Sequence, residues 1–351
     1  MKAYAEQAMA APPEPPTPER RATALRLPRL ARGLLALGTG ISVAALAAWW
    51  LGVRADDVMA HAAGISRWTL AASVASAFVV LSLHALRWHL VMRPLLGLGY
   101  SDALFAQLVG AMFNAVLPAR GGDLLRVQYL GRRTGKSRAT ILGTEVVDRW
   151  LDWWGWVPVI AVLAATTTLP RWVFGAFALL VVVLAGWAAL MVAARLRGWT
   201  ARPGSRAGAT LRAFKAGIDA FESPRTLVLA LLVAPLPWIW ESGAIAAISR
   251  SFDVHLTFAT AFCVLVGFNV ATVVPSPGAL GSVETGGTAA LVFFGAPRSN
   301  ALAFMLVYHL TQLLPAVAAG AAVLVATTNR KLLAFFERVT AFSFASGQSK
   351  R

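Results

Sequence analysis

The sequence predicts an all-α integral membrane protein, with about six full transmembrane helices and two broken, re-entrant helix pairs arranged as two inverted repeats. Three observations lead there. With 58% hydrophobic and 14% charged residues over 351 positions, the chain is far more apolar than a soluble domain. Its apolar residues collect in runs near the roughly 20 helical residues needed to cross a hydrocarbon core of about 30 Å. One stretch also occurs twice: Phe105, Leu108, Val109, Gly110, Pro118 and Gly121 return 157 positions later as Phe262, Leu265, Val266, Gly267, Pro275 and Gly278. The same shift carries Pro158 onto Pro315. Apolar composition explains matched Gly and Pro least well, so the duplication organises the rest of the reading.

Residues 1–33 are rich in Pro, Ala and Glu and then in Arg, without apolar periodicity, and read as a disordered basic cytoplasmic segment. A first span at 34–53 lacks a cleavage site and reads as a retained anchor, which with an outer loop fills 34–68. Residues 69–195 hold the first repeat and an extra span. Within them come a span at 69–92, a broken pair at 101–117 and 122–133, and spans at 139–168 and 171–195. The basic stretch 196–225 is a cytoplasmic connector, with a short amphipathic helix at 208–222. Residues 226–327 hold the second repeat: a span at 225–249, a broken pair at 257–273 and 279–295, and a span at 298–327. The basic tail 328–351 is expected to lie along the cytoplasmic surface of the membrane.

Neither half of a broken pair is long enough to span comfortably, and each is stopped by Gly and Pro: Pro118, Gly121 and Gly122 in the first copy, Pro275, Pro277 and Gly278 in the second. Short paired segments in matching positions of two halves point to discontinuous helices around a site at mid-membrane. Three crossings separate the two copies, which makes the repeats inverted. Lys and Arg assign the sides: 25 fall on one side of the predicted spans and 5 on the other. The N- and C-termini are therefore expected in the cytoplasm. This topology accounts for the net charge of +16 without nucleic acid.

Ionisable side chains at membrane depth cost about 2.5–3.5 kcal/mol each, so each needs a partner or a polar cavity. Glu145, Asp148 and Asp152 share one helical face, with Arg149 four residues after Glu145. Asn114, Arg120, Asp123 and Arg126 stand near the tip of the first pair. The second half offers Glu241, Asn269, Ser276, Glu284, His309 and Gln312, and the shift relates His84 to Glu241 and Asp152 to His309. Arg120 and Arg126, at a Gly-flanked helix start, suit bidentate capture of phosphate. Asn114, Arg120, Asp123, Arg126, Ser276 and Glu284 are the expected substrate-binding set. Glu145, Asp148, Arg149, Asp152, Glu241 and His309 are expected to line a cavity or couple protons. Interhelical salt bridging is the plainer reading of any one of them. The Trp150, Trp153, Trp154 and Trp156 cluster reads as packing. The stretch Gly131 to Ser137 fails the spacing of a phosphate loop. No metal-ligand or paired-cysteine motif appears in the sequence, so no cofactor is expected.

Taken together, Asn114-x-x-Leu117-Pro118-Ala119-Arg120-x-Gly122-Asp123-x-x-Arg126, Glu145-x-x-x-Asp148-Arg149 and Pro275-Ser276-Pro277-Gly278-x-x-Gly281-x-x-Glu284 resemble the lysylphosphatidylglycerol synthase transmembrane region, or flippase-like domain family, over about 65–327. The resemblance implies moving or handling lipids in a bacterial-type inner membrane. Some members flip an aminoacylated phospholipid and others accompany hopanoid or polyprenyl-lipid pathways. The soluble aminoacyl-transferase domain of the two-domain members has no counterpart here, which argues against lipid aminoacylation. The expected function is translocation of a polar-headgroup lipid between leaflets, with lipid-synthesis enzymes as conceivable partners. Two alternatives stay open: a membrane-embedded transferase on a polyprenyl or polycyclic lipid, and a non-transporting scaffold of a lipid-synthesis complex.

Overall fold

A computed structural model describes Asp56, Ala60 and residues 63–117, 120–167, 171–196, 206–219, 224–274 and 276–327. The expected anchor at 34–53, the segment 1–33, the tail 328–351, and Pro118 and Pro275 lie outside the described residues. Every regular element described is helical. Four helical stretches among the described residues are long and apolar enough to cross a membrane: Arg67–Leu96, Phe174–Ala193, Pro224–Phe252 and Arg298–Thr327.

Helix α1 (Arg67–Leu96) starts at Ser66, whose hydroxyl accepts the Thr69 N–H, and ends at Gly97 in the left-handed region with φ 65°. The short helices α2 (Tyr100–Val116) and α3 (Gly121–Thr134) form the first broken pair. Asp102 secures the start of α2 by accepting the Gly99 N–H, and Gly135, at φ 68°, ends α3. The chain then forms α4 (Arg138–Trp154) and α5 (Trp156–Thr166). The expected uninterrupted span at 139–168 is thus two helices joined at Gly155. A methyl group there would sit 2.3 Å from the Ala234 carbonyl oxygen, so glycine is needed for close approach. Its neighbour across that contact is a second discontinuity, between α8 (Pro224–Val233) and α9 (Leu236–Ile248), where Pro235 and Pro237 interrupt the hydrogen-bond ladder.

Between these elements lie α6 (Arg171–Leu196) and α7 (Arg206–Ile218). α7 docks on α4 backbone to backbone: a methyl on Gly217 would lie 2.2 Å from the Thr140 oxygen, and one on Gly143 would lie 2.3 Å from the Phe214 oxygen. The second broken pair is α10 (Phe258–Ala271) and α11 (Ser282–Phe293), separated by a 3₁₀ turn at Pro277–Ala279. Last comes α12 (Arg298–Thr327), which runs unbroken through Pro315.

One buried apolar cluster joins Phe262, Leu265, Phe304 and Tyr308 with Val159 and Trp238. A second joins Trp88, Val109, Tyr129 and Ile141. The tryptophan cluster packs as expected: Trp150 stacks on Trp154 with ring centroids 5.9 Å apart, and Trp156 meets Trp238 edge to face at 5.0 Å. The two broken tips meet. Gly278, at φ 60°, faces Ala115 near the end of α2, whose carbonyl oxygen would lie 3.3 Å from a methyl at that position.

Candidate functional site

The first tip turns on Arg120, which itself adopts the left-handed conformation with φ 55°. The sequence suggests that Gly121 and Gly122 make this reversal; instead they allow contact. A methyl on Gly122 would come within 2.1 Å of the Gly110 carbonyl oxygen, so the first turn of α3 lies directly on α2. Asn114 latches the two helices, accepting the Gly122 N–H at 2.8 Å and donating to Asp123 Oδ1 at 3.0 Å. In the second tip, Gly278, Ala279 and Gly281 all have positive φ, and Glu284 accepts the Gly281 N–H at 2.7 Å. Pro277 opens the 3₁₀ turn between them.

Behind the first tip lies a buried ion network. Arg126 donates to Gln107 on α2 and Glu145 on α4, and its guanidinium sits 4.5 Å from the Trp88 ring centroid. Arg149 Nε donates to Glu145 at 3.0 Å, and its other nitrogens approach Asp123 at 3.7 Å and Asp152 at 3.4 Å. Arg87, on α1, donates to both carboxylate oxygens of Asp148, at 2.8 and 3.2 Å, and to Asp152. Arg87, Arg126, Arg149 and Arg120 thus face Asp123, Glu145, Asp148 and Asp152, equal numbers of each sign. Balanced, hydrogen-bonded pairing is what makes charge tolerable at this depth.

The other half is built differently. His309 Nδ1 lies 2.7 Å from Glu284, and Tyr308 donates to Glu241 at 3.2 Å. Gln312 donates to the Ser73 carbonyl oxygen at 3.0 Å and ties α12 to α1. Ser276 and Ser282 hydroxyls stand 3.5 Å apart.

Between the halves is a polar cavity of about 350 Å³. Asn114, Arg120, Asp123, Arg126, Arg149, Asp152, Glu241, Asn269, Ser276, Gly278, His309 and Gln312 contribute to its wall. Glu145, Asp148 and Glu284, also expected at the site, stand behind it and hold Arg126, Arg87 and His309. Arg120 differs from the other arginines: its side chain is 59% exposed and makes one contact of 3.3 Å to Asp123, whereas Arg87 and Arg126 are buried. Sequence reasoning missed Arg87, Gln107 and Tyr308 as participants, and with them Trp88, Ser73 and Ser282. For Arg87 the available signal was a lone cation inside an apolar span, which demands a partner.

An all-helical bundle with several membrane-length helices and buried charge beside paired broken helices defines a polytopic membrane protein with an internal polar site. The family model for the lysylphosphatidylglycerol synthase TM region matches residues 35–320, and the chain belongs to that family. No curated protein matches it.

Proposed function

We propose that the protein is a lipid translocase that passes a polar-headgroup lipid between leaflets, with the headgroup held where the two broken pairs meet. The observation that supports it best is the polar cavity of about 350 Å³ between the tips, inside a membrane domain, walled by Arg120, Arg149, Glu241 and His309. Transfer of a charged headgroup through hydrocarbon needs such a lined path. Arg120 is the headgroup anchor in this reading: it is exposed to the cavity and weakly paired. Asn114, Asp123 and Ser276 shape that end. Arg126, held through its two terminal nitrogens by Gln107 and Glu145, supports the wall, and Glu284 acts through His309. Glu241 and His309, on the opposite wall, accept or relay the cationic or hydrogen-bonding part of the passing group.

The finer architecture belongs to the same proposal. It comprises six crossings, two inverted repeats that rock against each other, both termini in the cytoplasm, and residence in a bacterial-type inner membrane. The test is reconstitution in liposomes with headgroup-labelled lipids and a membrane-impermeant quencher. Transport above that of empty vesicles, lost in Arg120→Ala with the protein still monodisperse, supports the reading. Full transport by Arg120→Ala removes the headgroup assignment. Product formation from a lipid substrate in detergent, where no leaflets exist, would favour the transferase alternative.

A further inference from the structure

On the side of α10 away from the polar cavity lie two apolar cavities, of about 800 Å³ and about 590 Å³. Leu163 of α5, Cys263 of α10 and Phe294 beyond α11 line both, so the two spaces share a wall. The threonines at the rim of the larger one are spent locally. Thr166 and Thr167 donate to Val162 and Leu163 carbonyls at 2.8 and 2.7 Å, and Thr260 donates to the Thr257 carbonyl at 3.0 Å.

Where α12 crosses α2, Gly320 brings the backbones together: a methyl there would lie 2.4 Å from the Leu108 oxygen and 2.6 Å from Met112 Cβ. The repeat shift of 157 relates Gly320 to Leu163 and Leu108 to Leu265. The residue at the matching position of α5 is thus a leucine, and it lines both cavities.

We propose that these cavities form a binding site for a hydrocarbon chain of a membrane lipid, an acyl or prenyl tail. The surroundings choose the occupant. Leu179 and Val183 of α6 line the smaller cavity, and both are exposed on a membrane-length helix. Chains are the available filler at that depth, and an unfilled space of this size forfeits dispersion contacts along its whole lining. A polar group would find the O–H donors of Thr166, Thr167 and Thr260 already spent on backbone carbonyls. The site also borders the end of α10 across from the headgroup cavity: Val270 lines the smaller apolar space, while Thr272, two residues on, lines the polar one. Treating the chain as part of the transported lipid rests on the translocation reading; occupancy by a chain does not.

Cys263 is the only cysteine of the sequence and serves as an internal probe. Liposomes holding the full protein would contain increasing mole fractions of a lipid with a thiol-reactive group at the end of its chain. The reference is Cys263→Ser with Val182→Cys, a position 66% exposed on α6. The expected result is a Cys263 labelling rate that saturates with mole fraction, against a proportional rise at position 182. Leu163→Trp should lower Cys263 labelling about tenfold by filling the space. Proportional labelling at Cys263, or faster reaction with a water-soluble maleimide than with the chain-borne group, overturns the proposal. Should Leu163→Trp fail to fold, the saturation curve of the native sequence still decides. Saturating labelling in a protein that moves no lipid would remove the translocation reading and leave the chain site standing.

Discussion

The wall built by α1, α3 and α4 holds its charge in ion pairs that involve arginine, and the facing wall, built by α9, α11 and α12, holds each carboxylate with one or two hydrogen bonds and no arginine among the contacts described. In the first, Arg87 bridges Asp148 and Asp152, and Arg126 and Arg149 converge on Glu145. In the second, Glu241 meets only Tyr308 among the contacts described for its carboxylate, and Glu284 meets His309 and the Gly281 N–H. The difference is one of consequence. Removing one member of the ionic wall strands a full charge in a low-dielectric interior, whereas removing one member of the facing wall strands a hydrogen-bonding group. The first wall is therefore bound up with folding, and the second is freer to change its bonding during a functional cycle.

This contrast can be broken experimentally, starting with the largest effect. Arg87→Ala should cost about 3–5 kcal/mol, because two buried carboxylates lose their shared cation. It would appear as a collapsed thermal midpoint or loss of the monodisperse peak, and adding Asp148→Asn and Asp152→Asn should restore much of the loss. A second cost comes from Gly122→Ala, at about 1–3 kcal/mol, because the new methyl would overlap the Gly110 oxygen and prise α3 from α2. Thermal melts of the two variants would rank them, and a near-native midpoint for Arg87→Ala would erase the distinction between the walls. Glu284→Gln should cost about 1 kcal/mol, since it weakens one hydrogen bond to His309 while keeping an acceptor for Gly281. Glu241→Gln and Arg120→Ala should leave the midpoint within about 0.5 kcal/mol of native. Glu241→Gln retains an oxygen for Tyr308, and the Arg120 side chain is mostly exposed. Both should nonetheless lower transport in the liposome assay. Unchanged transport in both would leave the facing wall without a functional role.

Much of the layout was legible in the residues. The expected helix limits for 171–195, 298–327 and both broken pairs fall within a few positions of those found, because runs of apolar residues closed by Gly and Pro leave few alternatives. The family and the proximity of Asn114, Arg120 and Asp123 were legible for a related reason: the residues are close in the chain. Arg87 was not. Its partners are 61 and 65 positions away, and hydropathy records it only as an isolated cost within a span. The need for glycine at 155 was hidden too. Pro158, which has no N–H for the Trp154 carbonyl, marks the break locally, but the Ala234 carbonyl that leaves no room for a side chain at 155 comes from another helix. Likewise Gly122 signalled a turn, yet its role is to let two backbones touch while Arg120 takes the strained conformation. Local chemistry was readable, and chemistry completed from a distance was not.

The glycine crossing between α7 and α4 offers experimental access to the interior. Helix α7 is fastened backbone to backbone onto the helix that carries Glu145, Asp148, Arg149 and Asp152, while Arg212 on its outer side is exposed. A fluorophore at position 212 would ride with α4 as a lever rides with its axle. It would report tilting of the charged wall in real time, without altering any residue that the lipid meets.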